Sequence, residues 1–401
     1  MLTSGPALPQ VDAAALSRDG WDVAVVGAGP AGAIAARRLA LAGRRVLLLE
    51  RQRVPRDKTC GDGLIPDALA ALVAEGLLAR VRAVAWEGRR VVVYSPARTA
   101  VDVALDVLTV PRRRLDALLA GAAVEAGATL ACGAVATVDD GRDGVALRLT
   151  GDERPFRARF AIVATGAHAR LAAAVPPAPS AVALRHYLRS RHVVDRLVVS
   201  FDRAILPGYA WIFPIGDDTY NVGCGVLVGA SGARPAALRA MLERFYAVFP
   251  DARALRAAAI AEDLPRGALL RCALDGAPPW RGGRVVAAGE TIGTTFPLTG
   301  EGIGTAITTG TLAARAVDAA LDADDARVLA AYAADVEALR PRYVAYVTAE
   351  QWMARPWVAD VVAARARRSA RLRDILSGFL REEVDPRAVL SATGLVRAMV
   401  G

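Results

Sequence analysis

Lysine and asparagine are almost missing from this chain of 401 residues: Lys58 is its only lysine and Asn221 its only asparagine. Histidine is scarce too, at three residues, too few for a His-rich metal centre. The four cysteines, Cys60, Cys132, Cys224 and Cys272, are scattered without C-x-x-C or other metal-type spacing. No structural metal and no paired-cysteine redox centre is therefore expected, and free thiols fit a reducing, cytoplasmic setting. No apolar run of spanning length escapes interruption by charge or glycine. The first residues lack the basic stretch and apolar core of a secretory signal. A basic arm interleaved with aromatics is also lacking, so the formal net charge of +9 carries no expectation of a nucleic-acid partner. All but one of the 50 basic residues are arginine, which reads as a nucleotide-level bias. Against that bias, Lys58 and Asn221 are read as positions that need a compact ammonium and a carboxamide.

What is present begins at residue 21. A short apolar run, residues 23–26, breaks at Gly27, and the spacing Gly27, Gly29, Gly32 follows at once. An alanine-rich helical segment runs to Leu41, Gly43 ends it, and residues 46–49 form a second apolar run closing on Glu50. This predicts a β-α-β unit with the dinucleotide fingerprint in its required strand–turn–helix context. Gly27 permits the tight turn, Gly29 lets a diphosphate approach bare backbone, and Gly32 lets helix and strand pack closely. The helix start at Pro30-Ala31 offers unpaired N–H groups to phosphate, and Glu50 is placed to accept from a ribose hydroxyl.

A polar, glycine-rich loop follows, and Pro66 opens a helix predicted to reach about Leu78. Alternation predicts strands over 89–94 and 101–108, a helix over 112–126, and a β-meander over 129–138 and 145–150. A buried strand over 160–164 stops at Thr165-Gly166, small residues suited to backbone contact with the nucleotide. The Pro-rich stretch 175–180 marks a crossing into antiparallel strands over 181–228, followed by a helix near 235–248. Residues 284–288 return as a strand into Gly289-Glu290, a long helix reaches about Leu321, and the chain is largely helical from Ala326. The predicted class is α/β. A Rossmann-like domain with parallel sheet and β-meander comprises 21–65, 110–175 and 280–325. An α+β substrate domain with an antiparallel sheet comprises 66–109 and 176–279, and 326–401 is a helical C-terminal region.

Four motifs carry a resemblance. Gly27-x-Gly29-x-x-Gly32 with Glu50, Lys58-x-Cys60-Gly-Asp-Gly63, and Gly289-Glu290 leading into Pro297-x-x-Gly300-Glu-Gly-Ile-Gly304 look like the FAD-binding fold shared by aromatic hydroxylases and geranylgeranyl reductases. Tyr209-x-Trp211-x-Phe213-Pro214, then Gly223-x-Gly225, is similar to the signature of the geranylgeranyl reductase family. The resemblance implies bound FAD contacted by Gly27, Gly29, Pro30, Ala31, Gly32, Glu50, Arg51, Lys58, Cys60, Gly61, Arg112, Val135, Thr165, Gly166, Gly289, Glu290, Pro297, Gly300, Glu301, Gly302 and Ile303. The helix beginning near Ile303 would aim its N-terminal dipole at the flavin ring. Two departures stand out: Glu290 where the family usually has aspartate, and Thr165-Gly166 where hydroxylases usually have Asp-Gly. No second G-x-G-x-x-G occurs, so NAD(P)H would dock transiently.

Tyr209, Trp211 and Phe213 alternate along one strand and share a face. They are read as the aromatic wall of a long apolar channel, with Gly223-Cys224-Gly225 leaving open space on the facing strand and Asn221 beside them. The competing reading is a sheet core. Cys60 and Asp62 are the candidate proton donors, with a buried filler as the alternative for Cys60. In the C-terminal region Val358, Val361, Val362, Leu372, Ile375, Leu376 and Phe379 recur at helical spacing among Arg365, Arg367, Arg368, Arg371 and Arg373. This segment either packs on its own domain or lies on the inner face of an anionic membrane. The resulting expectation is an FAD-dependent reductase delivering hydride from reduced flavin to a carbon–carbon double bond of an apolar, isoprenoid-like substrate, with NAD(P)H as donor. A flavin monooxygenase or halogenase acting on an aromatic substrate is one alternative. A flavoprotein that shuttles electrons or binds lipid without turnover is another.

Overall fold

Two sheets organise the computed structural model, which describes residues 8–173, 178–227 and 235–380. In chain order the first half comprises β1 (Val11–Asp12), β2 (Trp21–Val26), α1 (Pro30–Leu41), β3 (Val46–Glu50), β4 (Gly63–Leu64), α2 (Pro66–Ala74), α3 (Leu78–Arg82), β5 (Trp86–Tyr94), β6 (Ala100–Thr109), α4 (Arg112–Glu125), β7 (Thr129–Cys132), β8 (Val135–Asp140), β9 (Val145–Leu149) and β10 (Asp152–Val163). The second half comprises β11 (Ala181–Ser190), β12 (Leu197–Ser200), β13 (Tyr209–Pro214), β14 (Thr219–Leu227), α5 (Pro235–Val248), α6 (Pro250–Ala257), β15 (Ala259–Glu262), β16 (Arg266–Leu270), β17 (Val285–Ala287), α7 (Ile303–Ala323), α8 (Ala330–Glu337), α9 (Arg340–Met353), α10 (Pro356–Arg368) and α11 (Ala370–Leu380).

The first sheet runs β1-β7-β3-β2-β10-β9-β8, with β17 also on β10. Its inner strands are parallel: β2 pairs β3 and β10, and β3 pairs β7. Both faces of such strands are covered, so they read as unbroken apolar runs; all five residues of β3 are buried. The long β10 serves two partners on one side, antiparallel β9 along its first half and parallel β17 along its last three residues. The chain thereby returns after residue 284 to the same sheet edge, setting Gly289 and Glu290 beside the fingerprint turn. Small residues decide the helix layer. Ala31, Ala33, Ala35 and Ala36 of α1 are buried, and α7 crosses so closely that a Cβ on Gly310 would lie 2.3 Å from the Ala31 carbonyl oxygen.

The second sheet runs β15-β11-β14-β13-β12-β5-β6-β4, with β16 also on β11. One of its faces packs against α5 and α6 through Phe245, Phe249, Leu242 and Leu255. At the other end Val91, Val101, Val103 and Leu105 meet Ala363, Ala366 and Leu372 of the C-terminal helices.

Three local expectations need correction. The helix predicted through Leu78 stops at Ala74, because Gly76 takes a left-handed backbone (φ +68°) and the chain restarts as α3. Residues 129–132 belong to the parallel sheet rather than to the meander, since β7 pairs parallel with β3 and the meander begins at Val135. Within 181–228 one pairing is parallel, β12 against β5. The predicted crossing at 175–180 falls partly, and residues 381–401 wholly, outside the described residues.

Replacing Gly310 by alanine forces its new methyl into the α1 backbone. We expect a loss of about 3 kcal/mol in unfolding free energy, measured by urea denaturation, with the fold retained.

Candidate FAD and substrate site

The fingerprint turn has the geometry its glycines imply. Gly27 adopts φ +105°, and any Cβ there would meet the Ala164 carbonyl at 2.3 Å. A Cβ on Gly32 would sit 1.9 Å from the Gly27 oxygen; this glycine serves packing. Gly29 differs. Its Cβ would meet nothing nearer than the guanidinium tips of Arg56 and Arg112, each 3.9 Å away. An open space at a helix N-terminus, flanked by two cations, is a cradle for a diphosphate, so the residues present fit FAD. Glu50 accepts from the Ala28 N–H at 3.1 Å and pairs with Arg56 at 3.0 Å. Arg56 also bonds Asp116, which grips Arg112 through two bonds of 2.7 and 2.9 Å. Arg56 and Asp116 escaped the sequence reading. Their signal was weak: an arginine among several in a polar loop, and an acid four residues after Arg112.

A cavity of about 1320 Å³ opens from this turn. Gly27, Gly29, Pro30, Ala31, Glu50, Arg51, Lys58, Cys60, Gly61, Arg112, Val135, Thr165, Gly166, Gly289, Glu290, Gly300, Glu301, Gly302 and Ile303 lie along it. Gly32 is packed away behind the turn, and Pro297 lines a smaller side recess shared with Tyr209. Lys58 donates to Glu290 at 2.8 Å, so the single lysine ties the loop after Glu50 to the turn after β17. The N-terminus of α7 carries its own cap. Glu301 accepts from the Ile303 and Gly304 N–H groups, both at 3.0 Å, so two of the amides at that helix end are already engaged. Burial, with Asp67 nearby, pushes the Glu301 carboxyl up to about 8.

Tyr209, Trp211 and Phe213 line the cavity in a row, with ring centroids 5.8 and 6.2 Å apart. The loop glycines lie flat against them: a Cβ on Gly61 or Gly63 would touch Phe213 at 3.4 Å. The open space expected at Gly223-Cys224-Gly225 is not there. Trp211 fills it, since a Cβ on Gly223 would lie 2.2 Å from its ring. Cys224 points to the opposite face, into the core beneath α5, where its thiol contacts the Leu238 carbonyl and burial pushes it up to about 12. Gly225 sits against Tyr209 and Ala183, beside the side recess.

Asn221 and Asp62 form a buried knot rather than exposed walls. Asn221 accepts from Trp211 Nε1 at 2.9 Å and donates to the Cys60 carbonyl at 2.7 Å and to Asp62 at 2.8 Å. Asp62 also accepts from the Arg112 N–H at 3.1 Å and from the Tyr187 hydroxyl at 2.5 Å. It has no solvent exposure, although it borders the cavity between Gly61 and Gly63. Burial raises its carboxyl to about 6, against the opposing pull of the Tyr187 and Asn221 hydrogen bonds. Cys60 stays beside the cavity, its thiol pushed up chiefly by burial. Tyr187 carries the guanidinium of the buried Arg185 over its ring at 3.7 Å, and Arg185 pairs with Asp57 at 2.6 Å and Asp263 at 2.7 Å. Nothing in local sequence pattern marked Tyr187 or Arg185. Among the described residues no group of His, Cys, Asp and Glu is placed to hold a metal.

Beyond the aromatic row the cavity continues between the valines of β5 and β6 and the inner faces of α9, α10 and α11: Val93, Val101, Val103, Trp352, Val362 and Leu376 among others.

A nucleotide cradle on a Rossmann-like sheet opening into an apolar chamber defines an FAD-dependent oxidoreductase. Residues 20–185 match the FAD binding domain model, and residues 188–260 match the geranylgeranyl reductase catalytic domain model. The menaquinone reductase of Mycobacterium tuberculosis is 34% identical over 331 residues, covering 75% of this chain and 77% of the relative. Digeranylgeranylglycerophospholipid reductase 1 of Methanopyrus kandleri is 30% identical over 325 residues, covering 76% and 82%. Among solved structures, a geranylgeranyl bacteriochlorophyll reductase-like protein from Thermoplasma acidophilum superposes with a TM-score of 0.76 at 21% identity, covering 94% of this chain and 95% of its own. A flavin-dependent brominase superposes at 0.75 with 18% identity, covering 94% and 97%; these two likenesses speak for the fold alone. The chain belongs to the geranylgeranyl reductase family of FAD-dependent oxidoreductases.

Two measurements follow from the knot. Asn221→Leu orphans the Trp211 indole, the Cys60 carbonyl and one bond to Asp62, and should cost about 3 kcal/mol or more in urea unfolding. The pH dependence has a definite sign. Because the Asp62 carboxyl stands at about 6 in the fold against 3.8 ordinarily, the folded state holds its proton more tightly. Its contribution to stability is greatest below about pH 4 and declines by about 3 kcal/mol as pH rises to about 6. Asp62→Asn should remove that slope from the stability profile.

Proposed function

We propose that this protein reduces a carbon–carbon double bond in a long apolar, isoprenoid-like lipid, with NAD(P)H as the ultimate electron source. The observation that carries the reading is the cavity. Its 1320 Å³ takes in the nucleotide cradle at one end and continues past the aromatic row as a second, apolar chamber. Its far half is walled by valine, leucine, alanine and aromatic side chains from β5, β6 and the C-terminal helices. Such walls offer a chain of methyl-branched isoprene units a dry, non-directional fit. The relatives named above, a menaquinone reductase and a digeranylgeranylglycerophospholipid reductase, support this class of substrate.

Bound FAD supplies the hydride when reduced. The protein's own residues do the rest. Gly29, the α1 N-terminus, Arg56 and Arg112 hold the diphosphate, while Glu50 and the Lys58–Glu290 pair meet the hydroxyl-bearing parts of the cofactor. Tyr209, Trp211 and Phe213 orient the apolar chain and exclude water, which raises the strength of every charge interaction at the reacting end. Asn221 and Asp62 position the Cys60-Gly61 loop between the aromatic row and the cradle. Cys60, beside the cavity with its proton held by burial, would deliver the proton to the second carbon.

Anaerobic mixing of the photoreduced holoenzyme with prenyl lipids tests the reading. Loss of the reduced-flavin spectrum together with a product two hydrogens heavier supports it. A product that gains oxygen or halide, or a flavin that ignores every prenyl compound, overturns it. Ala363→Trp, on the far wall, should leave FAD affinity unchanged, lower kcat/KM for a long-chain lipid by about tenfold or more, and spare a short-chain analogue.

A further inference from the structure

Helix α10 has two apolar faces. Inward, Val358, Ala359, Val362 and Ala363 wall the cavity. Outward, Trp357 is 65% exposed and Val361 42% exposed; with Ala364 and Arg368 they follow at i, i+4, i+7 and i+11, one stripe along the helix. Arg368, which ends that stripe, and its neighbours Arg367 and Arg371 are exposed and enter no ion pair among the described residues. The one acid of α10, Asp360, is already engaged: it accepts from the Ser95 hydroxyl and the Ala97 N–H, both at 2.7 Å, and pairs with Arg203 at 2.9 Å. Those bonds pin α10 to the β5–β6 turn and fix which face looks outward.

We propose that the outer face of α10, continued by Arg371 of α11, docks on an anionic lipid bilayer. Trp357 and Val361 would enter the interface, with Arg367, Arg368 and Arg371 against the headgroups. Three observations select this occupant. An exposed indole beside exposed arginines that pair with no acid among the described residues is the composition that settles at a bilayer surface, the ring at headgroup level and the cations on anionic lipid. The apolar stripe rests on two large side chains, far short of the ~800 Å² per partner that a stable protein interface needs. The same helix walls the apolar cavity on its other side, so docking here puts that cavity next to a hydrocarbon phase. No helix among the described residues is long and apolar enough to cross a membrane. This inference does not depend on the reaction proposed above, because vesicle binding is measured without turnover.

Co-sedimentation of the full flavin-loaded chain with vesicles decides it. One set is pure phosphatidylcholine; the other is phosphatidylcholine mixed with an equal amount of phosphatidylglycerol. The expected result is binding to the mixed vesicles that weakens as salt is raised. Trp357→Ser and the triple variant Arg367→Ser, Arg368→Ser, Arg371→Ser should each lower it by about tenfold or more, with FAD affinity unchanged. Val361→Asp gives a second reading at the stripe should either fold poorly. Equal binding by wild type and variants, or none to the mixed vesicles, overturns the proposal. So does a self-associated wild type that Trp357→Ser converts to a monomer in sedimentation velocity, since the stripe would then join two copies of the chain.

Discussion

One buried carboxylate holds the two halves of the site in register. Asp62 lies in the loop that follows the first β-α-β unit, accepts the backbone N–H that opens α4, and takes the Tyr187 hydroxyl and the Asn221 amide from neighbouring strands of the second sheet. Its backbone is left-handed (φ +65°) between two glycines, a conformation aspartate tolerates better than most residues. Four elements therefore meet at one charge that water cannot reach. Leaving such a group unpartnered would cost more than any single bond contributes, so the loop, α4 and the sheet have one compatible arrangement.

From that knot the chemistry of the chamber follows. The loop glycines lie on Phe213 and Trp211 because Asn221 fixes both the Trp211 indole and the Cys60 carbonyl. The cradle side is fixed by a second chain of charges, Glu50–Arg56–Asp116–Arg112. These guanidiniums are held in place by carboxylates before any anion arrives, so less freedom is lost on binding. Polar order is concentrated at the cofactor end. The far end is almost wholly apolar, which leaves the substrate's length and branching, rather than directed bonds, to decide fit.

The scarcity of lysine and asparagine was informative for a physical reason. Where arginine serves for bulk charge, a retained lysine or asparagine marks a contact that arginine or a larger polar group would not fit. Asn221 uses its carbonyl oxygen and its amide to serve three buried partners, and Lys58 spans to Glu290 in a crowded turn. The glycine pattern was legible for a similar reason, since Gly27 and Gly32 sit where a Cβ would strike backbone. The reading of Gly223-Cys224-Gly225 as open space went astray because a glycine can be required by a neighbour's bulk, here the Trp211 ring, as readily as by a ligand.

The linear chain by itself determined the β-α-β fingerprint, the strand-and-turn return at residues 285–290, the aromatic alternation of β13 and the helical character of residues 326–380. Each is a local pattern whose period or steric demand is written within about twenty residues. Only the tertiary structure decided that Arg56 and Asp116 join the cradle, that Tyr187 and Arg185 stand behind Asp62, and that Cys224 turns away. It also decided that α10 and α11 cover the far chamber while leaving Trp357 outside. Those outcomes depend on which distant segments share a neighbour, and burial and charge pairing across tens to hundreds of residues leave no periodic trace in the sequence.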